Sequence, residues 1–284
     1  MVQEAPVRVE ARSAVRLGYY RADQVDFRAD LQSACAGLVA GEGELLRAVY
    51  SHPLIAGDPV DVENVLTYNV GEGCLRTATV NGLLLERAFA VTPDPRFNDR
   101  LDHVMTYGLT TLDAWLHWTA GQPLASITLP DITSLVNINA RRLWVAARRA
   151  GVIAYESREE VPESVVVDVE VQAPVGVRVG LLRVMKPLVD GLLAAAHSYS
   201  GVHLERLVRL ATVMDPSLQP DEFRSWLIDP SAPLGLTPFV FPRGTGLQVS
   251  PADDRIVALR LVRRVGPASV RCSISTAASP KCSP

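Results

Sequence analysis

Leu181-Leu-Arg-Val-Met-Lys-Pro-Leu-Val-Asp-Gly-Leu-Leu-Ala-Ala-Ala-His197 is the stretch on which the reading of this chain turns. Leu188, Val189, Leu192, Leu193 and Ala196 recur at three- and four-residue spacing, the pattern of a helix with one apolar stripe. Pro187 suits the first helical position, where its missing N–H costs nothing. Lys186 then stands at the mouth of the helix and Asp190 one turn further in. Just upstream, Val165-Val-Val-Asp-Val-Glu-Val171 alternates valine with Asp168 and Glu170, as a strand with one buried face does. A strand, a loop and a charged helix mouth thus form the centre from which the chain is read.

Upstream, Ala125–Leu129 reads as a short strand ended by Pro130. Asn137 or Asn139 can cap a helix over Ala140–Ala150, and Gly151 closes it. Downstream, residues 198–245 read as a helical insertion, with helices over His203–Val213 and Pro220–Ile228. Leu247–Val249 and Arg255–Arg264 then pair as strands around Ser250-Pro-Ala-Asp-Asp254. From Gly266 the Ser/Pro/Ala-rich composition predicts a disordered tail over 266–284.

The first residues, 1–20, read as a flexible arm. Phe27, Leu31, Ala34, Cys35 and Leu38 mark a helix. Glu44–Tyr50 reads as a second short helix and Val62–Val70 as a strand. Asn69-Val-Gly-Glu-Gly-Cys74 follows as a turn, and Asn81-Gly82 signals a hairpin. His103–Leu109 reads as a strand, and Thr110 opens a helix through Trp115 and Trp118 that Gly121 closes. These elements predict an α+β protein: an N-terminal unit over 21–121 and a second over 122–265. A mixed or antiparallel sheet with flanking helices is expected, with no internal repeat.

The chain has 284 residues, is 48% hydrophobic and 21% charged, and carries a net charge of −3. That composition supports a sizeable core and argues against a dedicated nucleic-acid binder. Only Lys186 and Lys281 are lysine among 28 Lys and Arg residues, a bias expected of a GC-rich bacterial genome. Cys35, Cys74, Cys272 and Cys282 are widely spaced, which excludes a zinc ribbon or thioredoxin motif and fits a reducing compartment. No apolar run reaches membrane-spanning length and no signal peptide is read at the start, so a soluble, cytoplasmic protein is expected.

The candidate catalytic residues are Lys186, Asp190, Asp254 and Glu72. A desolvated lysine serves as a base or electrostatic clamp, and carboxylates beside it do acid–base work. Asp253 and Asp254 are the candidate metal ligands, although ordinary turn chemistry also places Asp before a strand. Cys74 is a buried thiol or a nucleophile. His103, His117, Trp115 and Trp118 form an aromatic-rich segment that packs a core or stacks a ligand. His197 and His203 flank the end of the central helix and serve as acid–base groups or, the favoured reading, as cations complementing its C-terminus. Arg141, Arg148 and Arg149 fall on one side of their helix and offer an anion surface.

Four pieces stand in order: Ser126-Ile-Thr-Leu-Pro130, a helix and strand, Lys186-Pro-Leu-Val-Asp190-Gly-Leu, and Asp253-Asp-Arg-Ile-Val257 leading into a strand. Over roughly residues 124–265 the chain resembles the RusA family of Holliday-junction resolvases. That family has a strand, a helix, a strand, an Asp-x-Asp-Asn loop opening a helix with Lys and Asp four apart, and a later Asp-Asp before its last strands. The resemblance implies that fold, with 198–245 as an insertion, and Mg²⁺-dependent cleavage. The family's two loop aspartates fall here on Gly180 and Leu182, its Asn on Arg183, and its basic run is reduced to Arg178. On a shared scaffold the family's metal site is therefore expected to be dismantled, with only Asp253 and Asp254 remaining in the matching places.

No P-loop, dinucleotide fingerprint, Cys/His metal cluster or nucleophile elbow is present. The leading expectation is a cofactor-light enzyme of bacterial specialised metabolism, acting on a small molecule by hydrolysis, elimination or cyclisation. One alternative is a non-catalytic module on a decayed RusA-like scaffold, binding nucleic acid or a partner protein. Another is an Mg²⁺-dependent endonuclease whose missing carboxylates come from elsewhere, for example Glu72, Asp168 or Glu170. No cofactor is expected beyond Mg²⁺ in the nuclease case, and no membrane partner.

Overall fold

The computed structural model describes residues 8–18, 22–52, 60–68, 70–89, 103–130, 138–155 and 160–278. In chain order the elements are β1 (Arg8–Ser13), α1 (Val25–Ala36), β2 (Leu45–Ser51), α2 (Glu72–Leu75), β3 (Gly82–Ala88), β4 (His103–Thr110) and β5 (Thr119–Pro130). There follow α3 (Ala140–Ala150), β6 (Val152–Ala154), β7 (Val165–Ala173), α4 (Leu181–Ala196) and β8 (Ser198–Tyr199). The chain continues through α5 (Leu204–Met214), α6 (Pro220–Leu227), β9 (Leu236–Thr237), β10 (Val240–Arg243), β11 (Gly246–Val249), β12 (Ile256–Val265) and β13 (Ser269–Ala278). The fold is α+β, with a mixed sheet flanked by helices.

One nine-stranded sheet carries the fold, in the order β1-β4-β2-β3-β12-β7-β13-β5-β6. It contains a repeat that the sequence hides. In the first half, β2 lies parallel to β3 and antiparallel to β4, and β4 pairs antiparallel with β1. In the second half, β7 lies parallel to β12 and antiparallel to β13, and β13 pairs antiparallel with β5. The registers correspond. Leu46 opposes Leu83 and Ala48 opposes Tyr107, as Val167 opposes Leu259 and Val169 opposes Cys272. All eight side chains enter the same apolar core. Each half thus runs strand, helix, strand, helical crossover, strand, strand. The halves join where β3 and β12 pair antiparallel, centred on Leu84 opposite Arg260.

Among the described residues, α1, α3 and α4 pack directly on the sheet, and α5 and α6 pack on each other and, through α5, on the β10–β11 pair, within the same core. Leu31 and Cys35 of α1, Trp144 of α3, Leu192 of α4, Leu207 of α5 and Phe223 of α6 share a core with the strands. The crossing of α3 over α4 depends on Gly191, where a Cβ would lie 2.6 Å from Leu143 Cβ and 2.7 Å from the Ala140 carbonyl oxygen. The opposite face is covered at its centre by the segment before β5. There Trp115 and Trp118 pack on Val166, Val257, Leu84 and Val262.

Several expectations are corrected. The tail forms β13 as far as Ala278, inserted between β7 and β5, because Val270, Cys272 and Ile274 alternate inward with polar neighbours; residues 279–284 lie outside the described residues. Part of the expected arm is β1, an edge strand on β4. Glu44–Tyr50 is strand rather than helix. Its apolar run fits either period, and burial on both faces selects the strand. Val62–Val70 is not a strand: Asp61 Oδ1 accepts from the backbone N–H of Glu63 at 3.1 Å and of Asn64 at 3.2 Å, starting a π-helical turn over Asn64–Tyr68. No hairpin forms at Asn81-Gly82, since β3 pairs with β2 and β12. The expected helix at Thr110–Trp118 is absent, because Glu86, fully buried, takes the N–H groups of Leu116 and His117 at 2.7 Å each. Leu247–Val249 pairs with β10, not with β12. Pro187 lies inside α4, which begins at Leu181. The units 21–121 and 122–265 share one continuous sheet. Among the described residues, no helix is long and apolar enough to cross a membrane.

Candidate functional site

Lys186 projects from α4 into a ring of four carboxylates. Its Nζ lies 2.5 Å from Glu63 Oε1, 3.1 Å from Asp190 Oδ1 and 3.3 Å from Asp61 Oδ2, and it donates to Asp253 Oδ2 as well. Asp61 and Glu63 come from the first half of the chain, Lys186, Asp190 and Asp253 from the second. The helical period brings Asp190 alongside Lys186. Asp253 begins a one-turn 3₁₀ helix directly before β12, against α4. Asp61 is fixed by the N–H groups it caps.

The site is half-sealed from water. Side-chain exposure is 22% for Lys186, 1% for Glu63 and 12% for Asp190. Burial disfavours the ammonium, yet Glu63, Asp190, Asp61 and Asp253 together hold its proton more firmly than in water. Burial also raises the carboxyls, with Lys186 only partly offsetting it. Asp190 is pushed up to about 7, Glu63 is raised well above the usual range, and Asp61 is raised too. One ammonium cannot balance four carboxylates in low dielectric, so the cluster calls for protons or a further cation. Glu63 Oε2 accepts no hydrogen bond among the described residues, and Glu63 Oε1 and Asp190 Oδ1 have only the shared Lys186 ammonium beside them. Such buried acceptors are costly unless a ligand satisfies them. Beside them, burial and Glu63 raise the half-buried Tyr68 phenol.

Oxygen atoms of Asp61, Glu63 and Asp253 lie within 4.8 Å of one another and could hold a metal ion. An all-carboxylate set suits hard cations such as Mg²⁺, Mn²⁺ or Ca²⁺.

Of the residues proposed from sequence, the structure brings together Lys186, Asp190 and Asp253. Asp254 is outside the ring, its carboxylate 3.8 Å from Arg255 Nε. Glu72 is exposed in the first turn of α2 and does not contact Lys186. Asp168 faces the other side of the sheet, bound to Arg260 at 2.6 Å, and Glu170 lies on that side with Arg264. Cys74 Sγ donates to the Gly71 carbonyl at 3.0 Å. His197 is not a cation at a helix end. It is 1% exposed, stacked on Phe239, and burial lowers it to about 4.

The arginines of α3 do not form one free surface. Arg148 is bound to Asp229 at 2.8 Å and to the His197 carbonyl, while Arg149 donates to Ser217. Arg141, Arg142 and Arg149 do rim a groove of about 1000 Å³ over Leu218 and Phe223, which no carboxylate of the Lys186 ring lines. Sequence reading missed Asp61, Glu63 and Tyr68. A signal existed in Asp61-Val-Glu63-Asn64, which opens the crossover of the first half where Gly180-Leu-Leu182-Arg183 opens that of the second.

No family model matches the chain, and neither a curated protein nor a solved structure matches it.

Proposed function

We propose that the chain is a divalent-cation-dependent phosphodiesterase acting on nucleic acid, with the cation held by Asp61, Glu63 and Asp253. The observation that carries this reading is the buried carboxylate ring, in which Asp61, Glu63 and Asp253 converge and the buried Glu63 Oε2 has no hydrogen-bond donor among the described residues. The cation would neutralise phosphate charge and lower the pKa of a bound water. Lys186 supplies a compact positive charge beside the same phosphate, and Asp190 keeps that ammonium in place.

The RusA-like resemblance supports the reading in two ways. With β6 and the insertion from β8 to β11 set aside, the second half runs strand, helix, strand, helix, Asp-Asp, strand, strand, the order the resemblance implies. The acidic loop missing before Lys186 has a near equivalent in the first half, Asp61-Val-Glu63-Asn64, against Asp-x-Asp-Asn. The two parts of the motif then lie on different halves and converge on one site.

The test is cleavage of branched and duplex DNA with and without Mg²⁺ or Mn²⁺, beside Asp253→Asn. Metal-dependent cutting lost in the variant supports the proposal; absence of cutting with every metal and substrate tried counts against it. A second reading is metal-free acid–base catalysis on a small molecule, favoured by Asp190 near neutrality beside Lys186. Turnover that persists in EDTA would select it. Salt-sensitive binding without cutting would select a non-catalytic module.

A further inference from the structure

The proposed metal site and the lysine contend for the same place. Asp61, Glu63 and Asp253 form the oxygen set that could hold a cation, and each of those carboxylates is within ion-pair distance of Lys186 Nζ. An ammonium at hydrogen-bonding distance from all three leaves no room among them for a metal ion about 2.0–2.6 Å from each oxygen. The fourth partner, Asp190, stands apart from the three. It is one turn along from Lys186 on α4 and 3.1 Å away.

We propose that Lys186 is a resident counter-ion that a divalent cation must displace, with Asp190 retaining the ammonium beside the site once the metal has entered. The inference rests on the metal reading above and adds how the site is regulated. The metal-free protein carries its own plug, and loading is an exchange of one cation for another. A freed ammonium on a flexible four-carbon stem then lies next to the metal, where an anionic phosphate would meet both charges. The site is therefore poised to load fully when metal and phosphate arrive together, since the phosphate gives the displaced ammonium a second partner.

Mn²⁺ titration by calorimetry at fixed pH tests this on the full chain, comparing wild type with Lys186→Met, Lys186→Gln and Lys186→Arg. Removing the competing positive charge is expected to tighten Mn²⁺ binding by about ten-fold or more in the Met and Gln variants. The Arg variant, which keeps the charge, should bind no tighter than wild type. If wild type and the Met and Gln variants bind equally, or the neutral variants bind more weakly, the counter-ion role is overturned while the metal site stands. If no variant binds Mn²⁺, the metal site itself is refuted and the inference falls with it. Should Lys186→Met be unfolded in EDTA, recovery of its thermal transition on adding Mn²⁺ supports the exchange; failure to recover, with Lys186→Gln folded and binding no tighter, overturns it.

Discussion

Glu63 Oε1 sits 2.5 Å from Lys186 Nζ, joining the segment just before the π-helical turn of the first half to the central helix of the second. Glu63 is 1% exposed, and its second oxygen, Oε2, has no hydrogen-bond donor among the described residues. That pair is the point on which the two halves of the sheet converge chemically, and it sets which substitutions should matter.

Asp253 and Asp254 are adjacent but not equivalent, because only Asp253 reaches the ring. Asp253→Asn should abolish stabilisation by Mn²⁺, whereas Asp254→Asn should retain it. With metal at about a hundred times Kd, the wild-type melting temperature should rise by roughly 5 °C or more. Differential scanning calorimetry with and without Mn²⁺ reads the contrast directly.

Burial lifts Asp190 from its ordinary value of 3.8 to about 7. The native protein therefore keeps a proton that the unfolded chain releases between those values. Metal-free stability from this group is fully present below about pH 4 and is lost as pH rises to about 7. Urea unfolding in EDTA across that window should show the decline, and Asp190→Asn should flatten it.

His197 behaves in the opposite sense. Burial lowers it to about 4 from an ordinary 6.5. The unfolded chain binds the proton first, so stability falls as pH drops from about 6.5 towards 4. His197→Gln should remove this acid sensitivity, as seen by comparing unfolding midpoints at the two ends of the range.

Gly191 lets α3 cross α4 at the level of Asp190. Replacing it with Ala places a methyl against Leu143 Cβ and the Ala140 carbonyl, neither of them the end of a flexible chain. Overpacking of this kind costs about 1–3 kcal/mol. Gly191→Ala should lower the urea midpoint; an unchanged midpoint would show that the helices can part without penalty.

A chain ended after Gly266 should not fold. It would lack β13, leaving β7 and β5 without the strand between them and Val167, Val169 and Val171 without Val270, Cys272 and Ile274 beside them. A cooperative unfolding transition in the truncated protein would contradict this placement.

The local chemistry of the second half was legible in the chain. The alternating valines of β7, the stripe of α4, the Asn139 cap of α3 and the order of Lys186, Asp190 and Asp253 all follow from periodicity and short-range spacing. Helix and strand were confused where an apolar run is buried on both faces, as in β2, and where one buried carboxylate, Glu86, fixes a segment from far away in sequence. In the tail, composition suggested disorder while alternation put β13 into the core.

The sequence by itself determined that the protein has an α+β core, and it singled out Lys186 and its neighbour Asp190, because periods of two and 3.6 residues are written into adjacent positions. The tertiary structure decided which carboxylates surround Lys186. Asp61 and Glu63 lie on the other half of a repeated topology whose side chains have diverged, and only the pairing of β3 with β12 makes one sheet of the two halves. Burial then turns five ordinary charged residues into a coupled site, since the electrostatic demand of four carboxylates on one ammonium arises only once water has been excluded.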